Sequence, residues 1–246
     1  VADNLGDVAM GEVMRVLAPL GVACIGGKQT VKPWPEDIDD WTHHLHGVDG
    51  NAVSRDQVVG PPRHVQWVTE PRWQRHHEMT PSVNALVSSG GRLFAIINEA
   101  PAGIDGMPDR WTLVARDAFN GVVLWKRPID NWGWRRWSDI EFSGVMRFKG
   151  PSQLFRRLVA VDDRVYVVTF RQTDPLWVLD LSDPQNPHIL GELQVPGWSD
   201  FIFPRGDTLI TVGRGDGGRG VALSAFDVAD PESPSVIDRL ELGGWS

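Results

Sequence analysis

The chain has 246 residues, 41% hydrophobic and 23% charged, with a formal net charge of −8. That composition suits a globular domain and argues against wholesale disorder. The acidic balance disfavours nucleic acid or an anionic membrane as the main partner, since both need a basic face, and Arg135-Arg136 and Arg156-Arg157 read as ordinary solvent-facing arginines. The single Cys24 excludes an intrachain disulfide and any Cys-rich zinc site, and its apolar neighbours suggest a buried, inert thiol. No run of about 18 apolar residues is present. The chain begins with Val1 and reads as a piece of something longer.

Taken in chain order, Val13, Val16 and Leu17 share one face of a helix within residues 8–19, which Pro19 and Gly21 stop. Val22-Ala23-Cys24-Ile25 then reads as a short strand. Residues 28–82 form a polar connector rich in Pro, His and Trp. Within it, Asp37–Trp41 is expected to start a short helix, and the alternation of Val65-Gln66-Trp67-Val68-Thr69 predicts a strand.

From residue 83 onward, strand signals recur in three groups of four. The first group holds Leu86–Ser88, Arg92–Ile97, Trp111–Arg116 and Val122–Lys126, with Ser89-Gly90-Gly91 and Asn120-Gly121 as turns. The second holds Leu158–Val161, Arg164–Val168, Leu176–Leu179 and Ile189–Leu193. The third holds Phe201–Phe203, Thr208–Val212, Val221–Phe226 and Val236–Leu240. A repeat supports this grouping. Asp180-Leu181-Ser182-Asp183-Pro184-Gln185-Asn186-Pro187 returns 47 residues later as Asp227-Val228-Ala229-Asp230-Pro231-Glu232-Ser233-Pro234. Strand-built repeats of about 40–50 residues mean propeller blades or a related array. The expected fold is therefore all-β: a partial, about three-bladed β-propeller of four-stranded antiparallel meanders, preceded by a short helix–strand element. The expected units are residues 1–27, the connector 28–82, and blades at about 83–130, 155–196 and 198–243 within 83–246. Three blades do not close a ring, because propellers use about four to eight. Closure would need more chain or a second copy.

Three resemblances accompany this reading. Glu12-Val13-Met14-Arg15-Val16-Leu17-Ala18-Pro19-Leu20-Gly21 resembles the late helix-to-strand part of a class I methyltransferase fold, with Leu20 in place of a glycine. The loop that would hold S-adenosylmethionine belongs to the other end of that fold, so the resemblance implies a remnant or docking element. Ala115-Arg116-Asp117-Ala118-Phe119-Asn120-Gly121-Val122-Val123-Leu124-Trp125 resembles the pyrroloquinoline-quinone-type repeat. Together with Ile38–His46, Gly50–Val53, Val59–Trp67 and Pro71–His77, it makes residues 1–167 similar to planctomycete-type proteins carrying such propeller repeats. Residues 165–246 resemble secreted bacterial β-propeller proteins distantly related to WD repeats, carried by Tyr166–Pro184, Gly191–Gly197 and Leu223–Val228. The two meet near 164–175 and suggest a mosaic. They imply an extracellular or periplasmic location, although the chain carries no signal peptide.

Candidate chemistry is sparse. His43, His44, His46, His76, His77 and Glu78 form the only metal-like cluster. His43 and His46 at i, i+3 could share a helix face, with His76 and Glu78 completing a ligand set; the other reading is structural histidines hydrogen-bonded to backbone carbonyls. Trp132, Trp134, Arg135, Arg136 and Trp137 read either as tryptophans packed between blades or as an aromatic and cationic surface for a protein or carbohydrate partner. The glycine-rich Gly213–Gly220 lacks the Lys-Ser/Thr of a phosphate loop and the spacing of an EF-hand. No nucleophile elbow or dinucleotide fingerprint is present. The expected function is a non-catalytic propeller scaffold or binding module within a larger secreted or periplasmic protein. The alternative is a fragment of a quinone- or metal-dependent oxidoreductase, with pyrroloquinoline quinone or a divalent metal as cofactor.

Overall fold

The computed structural model describes residues 1–58, 60–72, 82–100, 110–130, 132, 154–168, 176–181, 183, 187–194, 197–215 and 220–243. A seven-residue helix α1 (Met10–Val16) precedes a hairpin of β1 (Val22–Ile25) and β2 (Lys28–Val31). Three four-stranded antiparallel sheets follow, each in strict sequence order. The first holds β3 (Val83–Ser89), β4 (Arg92–Asn98), β5 (Trp111–Asp117) and β6 (Val123–Pro128). The second holds β7 (Leu158–Val161), β8 (Arg164–Val168), β9 (Leu176–Asp180) and β10 (His188–Leu193). The third holds β11 (Trp198–Arg205), β12 (Thr208–Arg214), β13 (Val221–Asp227) and β14 (Ser235–Leu242). The sheets stack side by side as the blades of a partial β-propeller, with the first strands β3, β7 and β11 adjacent along the inner edge.

The second blade is covered on both faces, and its sequence explains why. Side chains alternate across a strand, so a strand buried on both sides reads as a continuous apolar run. Leu158, Ala160, Val165, Val167 and Leu179 enter one core with Phe94, Leu113 and Trp125 of the first blade. Val159, Tyr166, Val168, Leu176 and Val178 enter a second core with Ile202, Leu209 and Phe226 of the third. The face of the third blade turned away from the second has no such apolar core among the described residues, although the His43–Gly50 loop and Arg156 lie beside Phe201 and Phe203 on its inner strand. That face carries Phe201, Phe203, Ile210, Val212, Leu223 and Leu240, paired across the sheet, with Leu223 and Leu240 exposed.

Polar joints repeat along the stack. In each blade the residue after the third strand donates its N–H back to the hairpin joining the first two strands. These bonds are Ala118 to the Gly91 carbonyl, Leu181 to Asp163 and Val228 to Asp207, at 2.8, 2.8 and 2.9 Å. The carbonyls of Leu181 and Val228 then accept from the preceding blade. Arg92, first residue of β4, donates to the Leu181 carbonyl at 3.0 Å, and Arg164, first residue of β8, donates to the Val228 carbonyl at 3.2 Å. Thr208 opens β12 at the equivalent position.

Several expectations are corrected. Arg157 is not a solvent-facing arginine: it is fully buried and paired with Asp200 at 2.9 Å, where it joins the start of β7 to β11. Asp37–Trp41 is not helical. Instead the Asp39 carboxylate accepts the Arg55 N–H at 2.6 Å, and the backbone of Trp41 exchanges hydrogen bonds with Ser88 on β3. Residues 65–69 form no ladder. Cys24 is only half-buried.

The repeated proline turn has a packing role. A Cβ at Gly191 on β10 would lie 2.0 Å from the Pro231 carbonyl oxygen and 2.9 Å from Pro234 Cδ. The turn of the third blade therefore rests directly on the outermost strand of the second. Gly191→Ala forces the two blades apart, and overpacking of this kind costs about 1–3 kcal/mol. Urea unfolding of the variant is expected to show that loss, and unchanged stability would remove the turn from the interface.

Candidate functional site

The connector crosses the inner edge of the blades and supplies most of the polar chemistry there. The Ala160 N–H on β7 donates to the Thr42 carbonyl at 3.1 Å, which pins residues 41–46 beside the first strands. His43 and His46 lie across a tight bridged turn, with His46 in the left-handed region at φ 69°, so they share no helix face. The His46 ring is buried and its Nε2 sits 2.6 Å from an Asp39 carboxylate oxygen. Burial pushes the Asp39 carboxyl upward, but the Arg55 N–H, the His46 ring and the Asp40 N–H together hold it below the ordinary range. His43 Nδ1 lies 2.8 Å from the Thr42 hydroxyl.

The structure thus commits His46 to a carboxylate, while His43 and His44 turn to a cleft of about 260 Å³. Its other walls are Val48, Val159, Phe201, Ile202 and Phe203, with Arg156 present as a cation. Arg156 lies over the Phe201 ring at 4.6 Å and the Phe155 ring at 5.6 Å, and the His44 ring meets Phe155 at 4.1 Å. Burial lowers the pKa of His43, against the raising influence of the Ile202 carbonyl and Asp49. Burial also lowers that of His44, assisted by Arg156.

His76 and Glu78 lie outside the described residues, as do Trp134, Arg135, Arg136 and Trp137. Among the described residues, no group of three or more His, Cys, Asp or Glu side chains is placed to hold a metal. Trp132 is not an exposed binding residue. It is buried in the core between the first two blades, edge-on to Trp111 at 5.7 Å, because its large apolar ring closes that interface. Arg156 and Phe201 were missed as site residues. Their adjacency to Arg157 and to the expected strand Phe201–Phe203 gave no sign that a distant loop closes over them.

A second, wider depression of about 840 Å³ lies where the helix–strand element faces the hairpins of the first two blades, with Asp40, Asp117, Asp162 and Asp163 around Arg92. Asp117 shapes its own turn: its carboxylate accepts the Phe119 and Asn120 N–H groups at 2.8 and 3.0 Å. Gly121 follows at φ 74°, a conformation that favours glycine. Trp67 from the connector lies against Gly121, where a Cβ would come within 2.5 Å of the indole. Its N–H donates to the Ala118 carbonyl at 3.1 Å, and Gln66 donates to the Phe119 carbonyl at 2.7 Å. Trp67 thus takes the acceptor that an arginine of the preceding blade takes in the other two blades.

Protonation of the cleft histidines opposes folding. Their folded pKa values lie below the ordinary value of about 6.5, so the unfolded chain binds protons that the folded chain rejects. Stability from these groups is complete above about pH 6.5 and is lost as pH falls through their folded values. Thermal melts between about pH 7.5 and about pH 5 are expected to show a smaller decline for His44→Gln than for the wild type. Parallel declines would exclude His44 from the linkage.

Comparison with known proteins gives the following. Residues 158–246 match the Beta propeller domain family, a span that contains the second and third blades. An uncharacterized protein of Methanocaldococcus jannaschii is 33% identical over 115 residues, 43% of this chain and 18% of that protein. An uncharacterized protein of Archaeoglobus fulgidus is 44% identical over 136 residues, 50% of this chain and 20% of that protein. The chain spans about a fifth of the length of the curated relatives it matches. Among solved structures, a europium-containing methanol dehydrogenase aligns with a TM-score of 0.41 and 10% identity, covering 72% of this chain and 27% of that one. The three meanders and the matched span establish a partial β-propeller in which residues 158–246 resemble the Beta propeller domain.

Proposed function

We propose that this chain is a non-catalytic β-propeller scaffold or binding module, part of a larger secreted or periplasmic protein. The observation that carries the reading is the open apolar face of the third blade. The corresponding face of the second blade is buried by its neighbour, whereas Leu223 and Leu240 are 42% and 54% exposed. A contiguous apolar face of this kind marks a surface for another protein element. The partner that fits it is a further blade or a second copy of the chain. The distant relatives favour the former, because each is about five times as long as the stretch it shares with this chain.

The decisive experiment is light scattering across a concentration series. The chain alone is expected to self-associate through the open face, and the double variant Leu223→Glu, Leu240→Glu is expected to stay monomeric while remaining folded. A wild-type chain that is monomeric throughout contradicts the reading. Added pyrroloquinoline quinone with calcium is expected to leave no stoichiometric chromophore on the protein. Stoichiometric binding would favour the oxidoreductase fragment instead.

A further inference from the structure

We propose that connector residues 66–70 are an end cap that keeps copies of this chain from stacking head to tail through the first blade. The joint between two blades has a donor and an acceptor. The donor is the arginine that opens a second strand, Arg92 or Arg164, set opposite Asp117 or Asp180 in the ladder. The acceptor is the carbonyl just past the third strand of the following blade, Leu181 or Val228. A copy added in front of the first blade would need the equivalent acceptor, the Ala118 carbonyl, and a donor from its own third blade. Neither is available.

The acceptor is occupied. Trp67 Nε1 donates to the Ala118 carbonyl at 3.1 Å, and Gln66 donates to the neighbouring Phe119 carbonyl at 2.7 Å. Arg116 fastens the same segment, donating to the Glu70 carbonyl at 3.2 Å and the Gly121 carbonyl at 3.0 Å. The sheet face behind this joint is already covered. Side chains alternate along a strand, so Ala95, Ile97 and Val114 point away from the second blade, and all three are buried, as are Thr112 and Arg116. The donor is missing as well. Thr208 opens β12 opposite Asp227, the position of Arg92 and Arg164, and its side chain is too short to make their reach. A head-to-tail contact repeats without closing and builds filaments, and here it lacks both halves of its joint. A second copy on the third blade therefore meets it face to face, about a twofold axis, and growth ends at two copies. Such a pair presupposes the proposed interface on the third blade, whereas the cap on the first blade is a separate element with its own test.

The test is light scattering across a concentration series on the full chain and three variants. Thr208→Arg restores the donor, Gln66→Ala with Trp67→Ala frees the acceptor, and a combined variant carries all three changes. The mean mass of the wild type and of Thr208→Arg is expected to stop at two copies. The combined variant should grow past two copies without a plateau. Within the uncapped background, Thr208→Arg should tighten association about tenfold, the scale of one hydrogen bond from a charged donor. Where circular dichroism shows that Trp67→Ala loosens the first blade, Trp67→Phe with Gln66→Ala keeps a ring against Gly121 and still frees both carbonyls. A combined variant that stops at two copies or fewer would overturn the cap, and so would an equal gain from Thr208→Arg with the connector intact. A monomeric wild type contradicts only the third-blade interface, because growth of the combined variant still reports on the cap.

Discussion

Everything in this structure depends on lateral burial of one sheet against the next. A four-stranded sheet with apolar side chains on both faces has no stable form alone, because each face must be removed from water. The second blade meets that requirement from both sides, through two separate apolar cores. The polar joints add direction to this contact. Arg92 and Arg164 reach backbone carbonyls that the adjacent turn has already fixed, so each arginine sets the register of one blade against the next. The buried Arg157–Asp200 pair fixes the inner edge in the same way. Desolvation of both ions offsets much of their attraction, so such a pair adds little net stability, although removing one partner strands a buried charge.

The connector completes the other end of the stack. Trp67 and Gln66 satisfy the turn of the first blade, and residues 41–46 lie along β3 and β7. The turn of the first blade and the inner strands are thus dressed by a non-repetitive segment, while Leu223 and Leu240 on the outer strands of the third blade are left exposed. This asymmetry, rather than any constellation of catalytic groups, is what the fold presents to its surroundings. It also positions the cleft, since the same segment that caps the blades forms one wall of it.

Much of the fold was legible because its signals are local. Continuous apolar runs such as Leu158-Val159-Ala160-Val161 mark strands covered on both faces, and Asp117, Asn120 and Gly121 spell out a turn whose hydrogen bonds are made within it. The connector was harder to read. Val65–Thr69 alternates like a strand, but its hydrogen bonding goes through side chains to a turn more than 50 residues away. The reach of Arg92 and Arg164 was invisible for a similar reason: their acceptors are main-chain oxygens, which leave no mark on residue type. For the site, the histidine cluster drew notice, but its division into a carboxylate-bound His46 and cleft-facing His43 and His44 follows from a left-handed turn at His46 that composition does not reveal.

The most direct test of this account is residue-resolved amide hydrogen exchange on the intact chain. If burial by neighbours holds each blade, amides of β8 and β9, covered on both sides, are the slowest to exchange, and those of β12 and β13 in the third blade open at a lower free energy. Protection in the third blade equal to or greater than that in the second would contradict the claim that these sheets are held by one another.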